Sequence, residues 1–316
     1  MKILAINGIS ISGKEALENG GFEVIETKVA QEQLENYINN KGIDAIIVNN
    51  AIAIQQELID ECPSLKLIAT TDNTTENIDV QYAQDNGLHV INALEATATA
   101  KAELVFAHLL GMTRFLHQAN REMPLEGDMN FTMLQKHFVG TELKGKTLGI
   151  IGFDVVGREV AKIALALGMK VIATKNQTGD TIINIPFYNG QFVNIEVETE
   201  TTKEIIKEAD FIAVLADKLE DGYILGKEQF EKMKKGMGIV NISEPGTVDE
   251  VALVNAIEAQ IVKYAGLDVF ENQPTPEIQL LMKPELSLSP NIAGNTEEAT
   301  DNVGLEIANQ IVTLLS

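Results

Sequence analysis

The stretch 148–175, LGIIGFDVVGREVAKIALALGMKVIATK, decides the fold. Its pattern of strand, glycine turn, helix and second strand is typical of the opening of a dinucleotide-binding unit. A G-x-G-x-x-G fingerprint would place glycines at 152, 154 and 157, but the chain has Gly152, Asp154 and Gly157. The middle glycine normally lets the backbone approach a pyrophosphate, so a carboxylate there blocks and repels the anion. The stretch therefore predicts a dinucleotide-binding fold that is altered where the cofactor would bind.

Composition limits the classes of protein to which the chain can belong. Its 316 residues and 45% hydrophobic content predict two domains with sizeable cores. The 46 acidic and 24 basic residues give a net charge of −22, which argues against nucleic acid and anionic membrane as partners. A single cysteine, Cys62, excludes an internal disulfide framework and a cysteine-rich metal site. The N-terminus predicts a first strand rather than a signal peptide, and we expect a cytoplasmic protein.

Short apolar runs alternate with amphipathic helical patterns, which predicts an α/β fold with parallel sheets. A long apolar helix is predicted at about 99–118 and a closing amphipathic helix at about 297–315. Two further helices are expected at 29–39 and 54–60. The predicted strands are 3–6, 23–26, 45–48, 65–69, 88–91, 211–215, 239–242, 265–268 and 286–288.

The segment 182–197, IINIPFYNGQFVNIEV, interrupts this alternation of predicted strands and helices. It alternates in polarity around Asn189 and Gly190, and Asn-Gly is the strongest short hairpin signal because both residues tolerate a positive φ. The sequence therefore predicts a β-hairpin inserted in the second domain.

Several ordered blocks resemble the D-isomer-specific 2-hydroxyacid dehydrogenases, with phosphoglycerate dehydrogenase as the nearest form. The resemblance covers essentially the whole chain and implies no extra C-terminal regulatory domain. It implies two Rossmann-like or flavodoxin-like domains with parallel sheets, arranged as in formate and glycerate dehydrogenases. Residues 1–96 and 290–316 would form a discontinuous substrate-type domain, and residues 97–289 the dinucleotide-binding (Rossmann) domain. The blocks are 141–146, 149–157, 240–253, 266–274 and 289–299.

The resemblance implies a mechanism with three working side chains, and this chain has none of them. An arginine would bind the substrate carboxylate, a histidine would carry the proton, and a glutamate would orient the histidine. In 241–250, NISEPGTVDE, the arginine position is Glu244. In 267–274, LDVFENQP, the glutamate position is Gln273, and in 290–296, PNIAGNT, the histidine position is Asn291. We interpret the four histidines of the chain, at positions 89, 108, 117 and 137, as packing or surface residues; the last falls in a predicted loop.

The positions that the resemblance assigns to the cofactor are also changed. Lys175 ends the second nucleotide strand, where an acidic residue usually holds the ribose hydroxyls. It either accepts an NADP phosphate or is a solvated lysine beside an empty site. Asp268 is retained, either beside the nicotinamide carboxamide or as a structural residue at a strand end. The cofactor positions are Gly152, Asp154, Val155, Val156, Gly157, Lys175, Asp217 and Asp268.

In the substrate-type domain, a family pattern like V-R-S-A-T appears as 48–52, VNNAI, with Asn49 and Asn50 at its arginine and serine. A glycine-rich turn, whose backbone amides the family uses to hold anions, appears as 69–79, where side chains now stand at Asp72, Asn73 and Thr74. The new charges are negative at Asp72, Asp154, Asp217 and Glu244, where an anionic cofactor or substrate would need attraction.

These changes predict a non-catalytic relative in which binding of NAD(H) is weak or absent. The alternative is a working oxidoreductase with an altered substrate, for example a cationic one, or with NADP as cofactor. A third hypothesis places a divalent metal between Asp154, Asp217 and Glu244. The resemblance implies a homodimer through the cofactor domain, with the helix after residue 98 and the segment 131–138 as contacts. A hetero-oligomer with an active relative is a further alternative, and so is packing of the helix only within its own subunit.

Overall fold

The computed structural model describes residues 1–72, 75, 77–93, 95–175, 179 and 181–316. The chain divides into two units, Met1–Thr97 with Asn295–Ser316, and Ala98–Gly294. Both are α/β with parallel sheets, which confirms the predicted fold class. Among the described residues, no helix is both long and apolar enough to cross a membrane.

The first unit contains a five-stranded parallel sheet with the strand order β2-β1-β3-β4-β5. Its central strands are buried along their whole length, as expected when helices cover both faces of a parallel sheet. The elements are β1 (Lys2–Ala5), α1 (Ile11–Asn19), β2 (Glu23–Glu26), α2 (Gln31–Lys41), β3 (Ala45–Val48), α3 (Gln56–Glu61), β4 (Leu67–Thr70), α4 (Val80–Asp85) and β5 (His89–Ile91).

The second unit contains a seven-stranded sheet with the order β10-β7-β6-β11-β12-β13-β14, in which every pairing is parallel. From β6 the chain first adds β7 and β10 on one side of the sheet and then β11 to β14 on the other side. The carboxyl ends of β6 and β11 therefore form the topological switch point. The elements are α5 (Ala98–Thr113), α6 (Leu116–His137), β6 (Thr147–Ile151), α7 (Val155–Ala166), β7 (Lys170–Thr174), β8 (Ile182–Pro186), β9 (Phe192–Glu196), β10 (Glu198–Glu200), α8 (Thr202–Glu208), β11 (Phe211–Val214), α9 (Lys227–Lys232), β12 (Met237–Asn241), α10 (Glu250–Glu258), β13 (Val262–Leu267), α11 (Ile278–Leu281) and β14 (Leu286–Leu288).

The last helix, α12 (Glu297–Leu315), returns to the first unit and packs against α1. The two helices approach most closely at two glycines. A Cβ on Gly13 would lie 2.6 Å from the backbone of Gly304, so a larger residue there would force the helices apart.

The predicted hairpin is confirmed: β8 and β9 pair antiparallel as a separate two-stranded sheet. Only one residue of the Asn-Gly pair takes the positive φ that both tolerate. The loop spans residues 187–191, Phe187 N–H donates to Gln191 O at 2.7 Å, and Gly190 alone in this loop has a positive φ, 82°. The Asn189 side chain instead accepts a hydrogen bond from Gln191 N–H at 3.1 Å.

The predicted helix 99–118 is wrong in its length, because the chain breaks after α5. Phe115 adopts a left-handed conformation with φ 56°, and α6 starts at the next residue. Helix α6 was not predicted; it contains Pro124 and a kink at Asn130, and its last residue is His137, which was expected in a loop. Strand β10 was also missed, since it is a three-residue edge strand with little apolar content.

Candidate functional site

The predicted cofactor and catalytic positions of the second unit follow strands that are neighbours in the seven-stranded sheet. Because carboxyl ends of parallel strands share one edge, these positions collect along it, centred on the switch point. In sheet order they are Lys175 after β7, Gly152, Asp154, Val155, Val156 and Gly157 after β6, Asp217 after β11, Glu244 after β12, Asp268 and Gln273 after β13, and Asn291 after β14.

The two retained glycines of the fingerprint serve the packing of the β6–α7 turn. Gly152 has a φ of 103°, and a Cβ there would lie 2.4 Å from the backbone nitrogen of Ala216. A Cβ on Gly157 would lie 2.3 Å from the carbonyl oxygen of Gly152. Both positions therefore require glycine for the turn to close, whatever the turn binds.

Asp154, at the position of the missing glycine, is the N-cap of α7. Its Oδ1 accepts a hydrogen bond from Gly157 N–H at 3.1 Å. This N–H is one of the donors that a helix N-terminus would otherwise offer to a phosphate. The carboxylate thus satisfies the helix internally and places a negative charge at its end.

Glu244 makes a similar contact one strand away. Its Oε2 accepts a hydrogen bond from Lys218 N–H at 3.0 Å, across the loop that follows β11. Asp217, beside this donor, is exposed. The arginine position of the family is therefore occupied by a carboxylate that binds the backbone of the same edge.

Lys101, on α5, was missed by the sequence analysis and belongs to this cluster. Burial lowers the pKa of its ammonium group, while the negative charges of Asp154, Asp217 and Glu244 act in the opposite direction. A single lysine in a helix otherwise rich in alanine and leucine was the sequence signal, and its half-burial is visible only in the structure. The three acids therefore lie near enough to Lys101 to favour its charged form.

Asp268 is fully buried, and its carboxylate organises the loop that carries Asn291. Its Oδ1 accepts from Ser289 Oγ at 2.5 Å and from Ile292 N–H at 2.9 Å, and its Oδ2 accepts from Ala293 N–H at 2.9 Å. The exposed Asn291 has a φ of 54°, and its N–H donates to Asp268 O at 2.8 Å. Asparagine tolerates this left-handed conformation better than most residues.

A network of buried polar side chains extends from Asp268 to α5. His108 Nε2 and Ser289 Oγ are 2.9 Å apart, and His108 Nδ1 and Ser287 Oγ are also 2.9 Å apart. Burial lowers the pKa of His108, partly opposed by the charge of Asp268. The structure thus places His108 in the core, as the sequence predicted, with both ring nitrogens satisfied.

The remaining positions of the edge make few contacts. Lys175 and Val155 are exposed, and Gln273 and Val156 are half-buried. Within the described part of the chain, no hydrogen bond joins Glu244, Gln273 and Asn291 to one another. The structure brings them to one edge of the sheet, but it does not assemble them into a hydrogen-bonded triad.

In the first unit, the substrate positions follow β3 and β4, which are also adjacent. Asp72 Oδ2 accepts a hydrogen bond from Asn50 N–H at 2.5 Å, and Asn49 Oδ1 accepts from Ala51 N–H at 3.2 Å. Backbone donors at this edge are again bound by side chains of the same chain. The predicted positions Asn73 and Thr74 lie outside the described residues.

No group of three or more His, Cys, Asp or Glu residues suited to a metal ion occurs among the described residues. The hypothesis of a divalent metal between Asp154, Asp217 and Glu244 therefore has no support from the geometry. Lys101 provides a cation in that region instead.

Comparison with known proteins agrees with this architecture. Residues 106–293 match the family model of the D-isomer specific 2-hydroxyacid dehydrogenase, NAD binding domain. A hydroxypyruvate reductase from Thermotoga maritima is 35% identical over 294 residues, covering 92% of this chain and 90% of the relative. A solved acyclic imino acid reductase in complex with NADPH and D-Arg is 26% identical, with a TM-score of 0.78, covering 100% of this chain and 97% of that one.

A D-3-phosphoglycerate dehydrogenase from Archaeoglobus fulgidus is 34% identical over 318 residues. The alignment covers 99% of this chain but only 57% of the length of that relative. The match of more than half of the chain to the family model, together with these relatives, confirms the resemblance seen in the sequence. The chain belongs to the D-isomer-specific 2-hydroxyacid dehydrogenase family.

Proposed function

We propose that this chain keeps the fold of the family but has lost, wholly or nearly so, the NAD-dependent oxidation and reduction of 2-hydroxyacids. One observation carries the proposal. Three acidic residues at family ligand positions, Asp72, Asp154 and Glu244, each accept a hydrogen bond from a nearby backbone N–H. Backbone donors that could hold an anionic ligand are therefore engaged, and a negative charge lies beside each of them.

The residues at the switch point do not fit a dinucleotide well. The pyrophosphate would meet the Asp154 carboxylate at the N-terminus of α7, where the family offers free N–H groups. Asp217 and Glu244 add negative charge along the same edge, and Lys101 offsets only part of it. Binding of NAD(H), which membership of the family implies, is accordingly expected to be weak or absent.

The residues at the three catalytic positions also lack the required chemistry. Glu244 cannot form the bidentate cation–carboxylate pair that an arginine makes. The amides of Gln273 and Asn291 cannot exchange a proton near neutral pH, and loss of general acid–base catalysis costs about 10²–10⁴-fold in rate. The lack of an arginine at position 244 would lower substrate binding further.

Calorimetric titration of the purified chain with NADH and with NADPH, at low salt and without substrate, tests the proposal. We expect no saturable heat and no thermal shift below millimolar concentration. A micromolar dissociation constant for either nucleotide would overturn it, because it would show that the turn accepts a pyrophosphate despite Asp154.

A second candidate function is that of an NADPH-dependent reductase acting on a cationic substrate. Lys175 is exposed directly after β7, where a 2′-phosphate would lie, and the edge of the sheet is acidic. The solved reductase with NADPH and D-Arg is a relative with such ligands. This candidate requires that NADPH binds more tightly than NADH and that Lys175→Glu abolishes the difference.

For partners, we propose a homodimer through the second unit, in which α6 contacts the second copy. Leu134 is the only buried residue of this 22-residue helix, while Leu125, Met129 and Phe131 are exposed. Both ends of α6 are held close together, since the rings of Phe115 and Phe138 lie 6.1 Å apart. The kinked helix therefore projects from the unit as an apolar arm.

A hetero-oligomer with an active relative is the alternative assembly, and it would use the same arm. We propose the cytoplasm as the location of the protein.

A further inference from the structure

The hairpin of β8 and β9 contains none of the predicted cofactor or catalytic positions. Its base packs on the second unit through Ile183, which is fully buried, with Ile185 and Ile195 partly buried beside it. Its end is exposed: Tyr188 is fully accessible, and Phe192 is 61% exposed. The hairpin therefore projects from the unit with aromatic side chains at its tip.

The two outer edges of the hairpin differ in their capacity to pair. In an antiparallel pair of strands, residue pairs that are hydrogen-bonded alternate with pairs that are not. Because Phe187 N–H donates to Gln191 O, the backbone groups of Ile182, Asn184 and Pro186 point away from β9. Pro186 has no N–H, and Ile182 O already accepts a hydrogen bond from Arg158 Nη2 at 2.5 Å. The outer edge of β8 is thus blocked against a further strand.

The outer edge of β9 is open. By the same alternation, the backbone groups of Phe192, Asn194 and Glu196 point outward, and none of them has a hydrogen-bond partner among the described residues. No proline interrupts this strand, and Phe192, Val193 and Asn194 are exposed. An edge of this kind is a template for pairing with another strand.

The charge pattern favours a second copy of this chain as that strand. The fifteen residues 181–195 contain no Asp, Glu, Lys or Arg, and this is the longest such run in the sequence. Two copies with a net charge of −22 each repel one another over most of their surface. The uncharged run 181–195 is a place where they can approach without opposing like charges.

We propose that β9 of one copy pairs antiparallel with β9 of a second copy, centred on Asn194. The contact is isologous, so each Asn194 lies opposite its counterpart and each Val193 opposite an Ile195. The two hairpins then form a four-stranded sheet. This contact is additional to the one proposed for α6, and it does not depend on what the cofactor edge binds.

Cysteine cross-linking tests the register of the pairing. Opposed residues of a hydrogen-bonded antiparallel pair have Cα atoms about 5.5 Å apart, within the range that a disulfide bridges. Asn194→Cys should form a disulfide-linked dimer under mild oxidation, whereas Asn184→Cys on the blocked edge should not. The native Cys62 does not interfere, because it is buried and burial raises its pKa to about 11. Equal cross-linking of the two variants, or none in either, would overturn the proposal.

A matched pair of proline variants tests the backbone contact. Asn184 and Asn194 are joined by one side-chain hydrogen bond of 3.0 Å, so replacing either residue removes the same bond within the hairpin. Asn194→Pro also removes an N–H of the open edge and should lower the mass in sedimentation about twofold. Asn184→Pro should keep the wild-type mass. A thermal melt identifies a variant that fails to fold. In that case the comparison of Asn194→Cys with Asn184→Cys tests the proposal. Wild-type mass for a folded Asn194→Pro would contradict the proposal.

Discussion

Asp154 shows how one side chain changes what a helix terminus offers. An aspartate is among the best N-cap residues, and in α7 it performs this role with Gly157 as the donor. The same contact that stabilises the helix withdraws the donor from a phosphate. Capping and cofactor binding therefore compete for the same N–H group.

Two substitutions at this residue separate its charge from its size. Asp154→Asn keeps a good cap and removes the charge, while Asp154→Gly opens the turn at a cost of roughly a few tenths of a kcal/mol. We expect NADH affinity to rise in the order wild type, Asn, Gly, measured by calorimetry. Neither variant should turn over a 2-oxoacid, because Glu244, Gln273 and Asn291 remain. Hydride transfer by Asp154→Gly would show that the catalytic positions are misassigned.

Lys101 provides the second prediction for a single residue. Its pKa is lowered from 10.5 by burial, whereas the pKa of Lys170 is raised by its hydrogen bond to Glu198. We expect side-chain NMR titration to place the midpoint of Lys101 below that of Lys170. Glu244→Gln should lower the Lys101 midpoint further, since Glu244 favours the charged amine. An unchanged midpoint in that variant would contradict the proposed cluster.

This shift has a consequence for stability. Between the lowered pKa of folded Lys101 and 10.5, the unfolded chain binds more protons than the folded chain. The contribution of Lys101 to the free energy of unfolding therefore rises with pH across that window. Lys101→Met should remove this rise, which denaturant titrations at several alkaline pH values can detect.

At the scale of elements, α5 is joined to β14 and to the loop after β13 by the His108 network. Ser287 and Ser289 contact the two ring nitrogens of His108, and Ser289 Oγ also donates to Asp268. Because burial lowers the pKa of His108 below 6.5, the unfolded chain takes up a proton first as the pH falls. The free energy of unfolding should therefore fall as the pH drops through and below 6.5.

Denaturant unfolding of wild type and His108→Gln at pH values from neutral to acidic measures this effect. The difference in unfolding free energy between the two proteins should shrink as the pH falls, since only the wild type loses the contribution of His108. His89→Gln, at an exposed histidine of β5, is the control. A difference that stays constant with pH would show that His108 does not titrate separately from the rest of the fold.

At the scale of the whole molecule, the proposed homodimer depends on the apolar arm α6. Met129 on the arm and Met282 after α11 are almost equally exposed, at 77% and 75%. We expect Met129→Lys to lower the mass in sedimentation, because it places a charge in the α6 contact, and Met282→Lys to leave the mass unchanged. The same mass for both variants would exclude α6 as a contact.

Several features of this protein could be determined from the sequence alone. The strand, turn and helix at 148–175 and the hairpin near 182–197 have local patterns, set by side-chain periodicity and by residues that permit positive φ. The positions Asp154, Asp217, Glu244 and Asn291 were assigned from the resemblance to the family, and in the structure each of them follows a strand of the second unit. The helix break at Phe115 was not, since an aromatic residue in a left-handed conformation has no propensity signal.

Only the tertiary structure decided which groups the side chains at those positions contact. Asp72 binds a backbone N–H 22 residues away, and Glu244 binds one 26 residues away. Such contacts depend on which strands are neighbours in the sheet, and local periodicity contains no information about that order. Lys101 joins the acidic cluster for the same reason, because α5 reaches the carboxyl edge only after the sheet has formed. The sequence thus determined which side chains lie at the edge, and the packing of strands and helices decided which groups they bind.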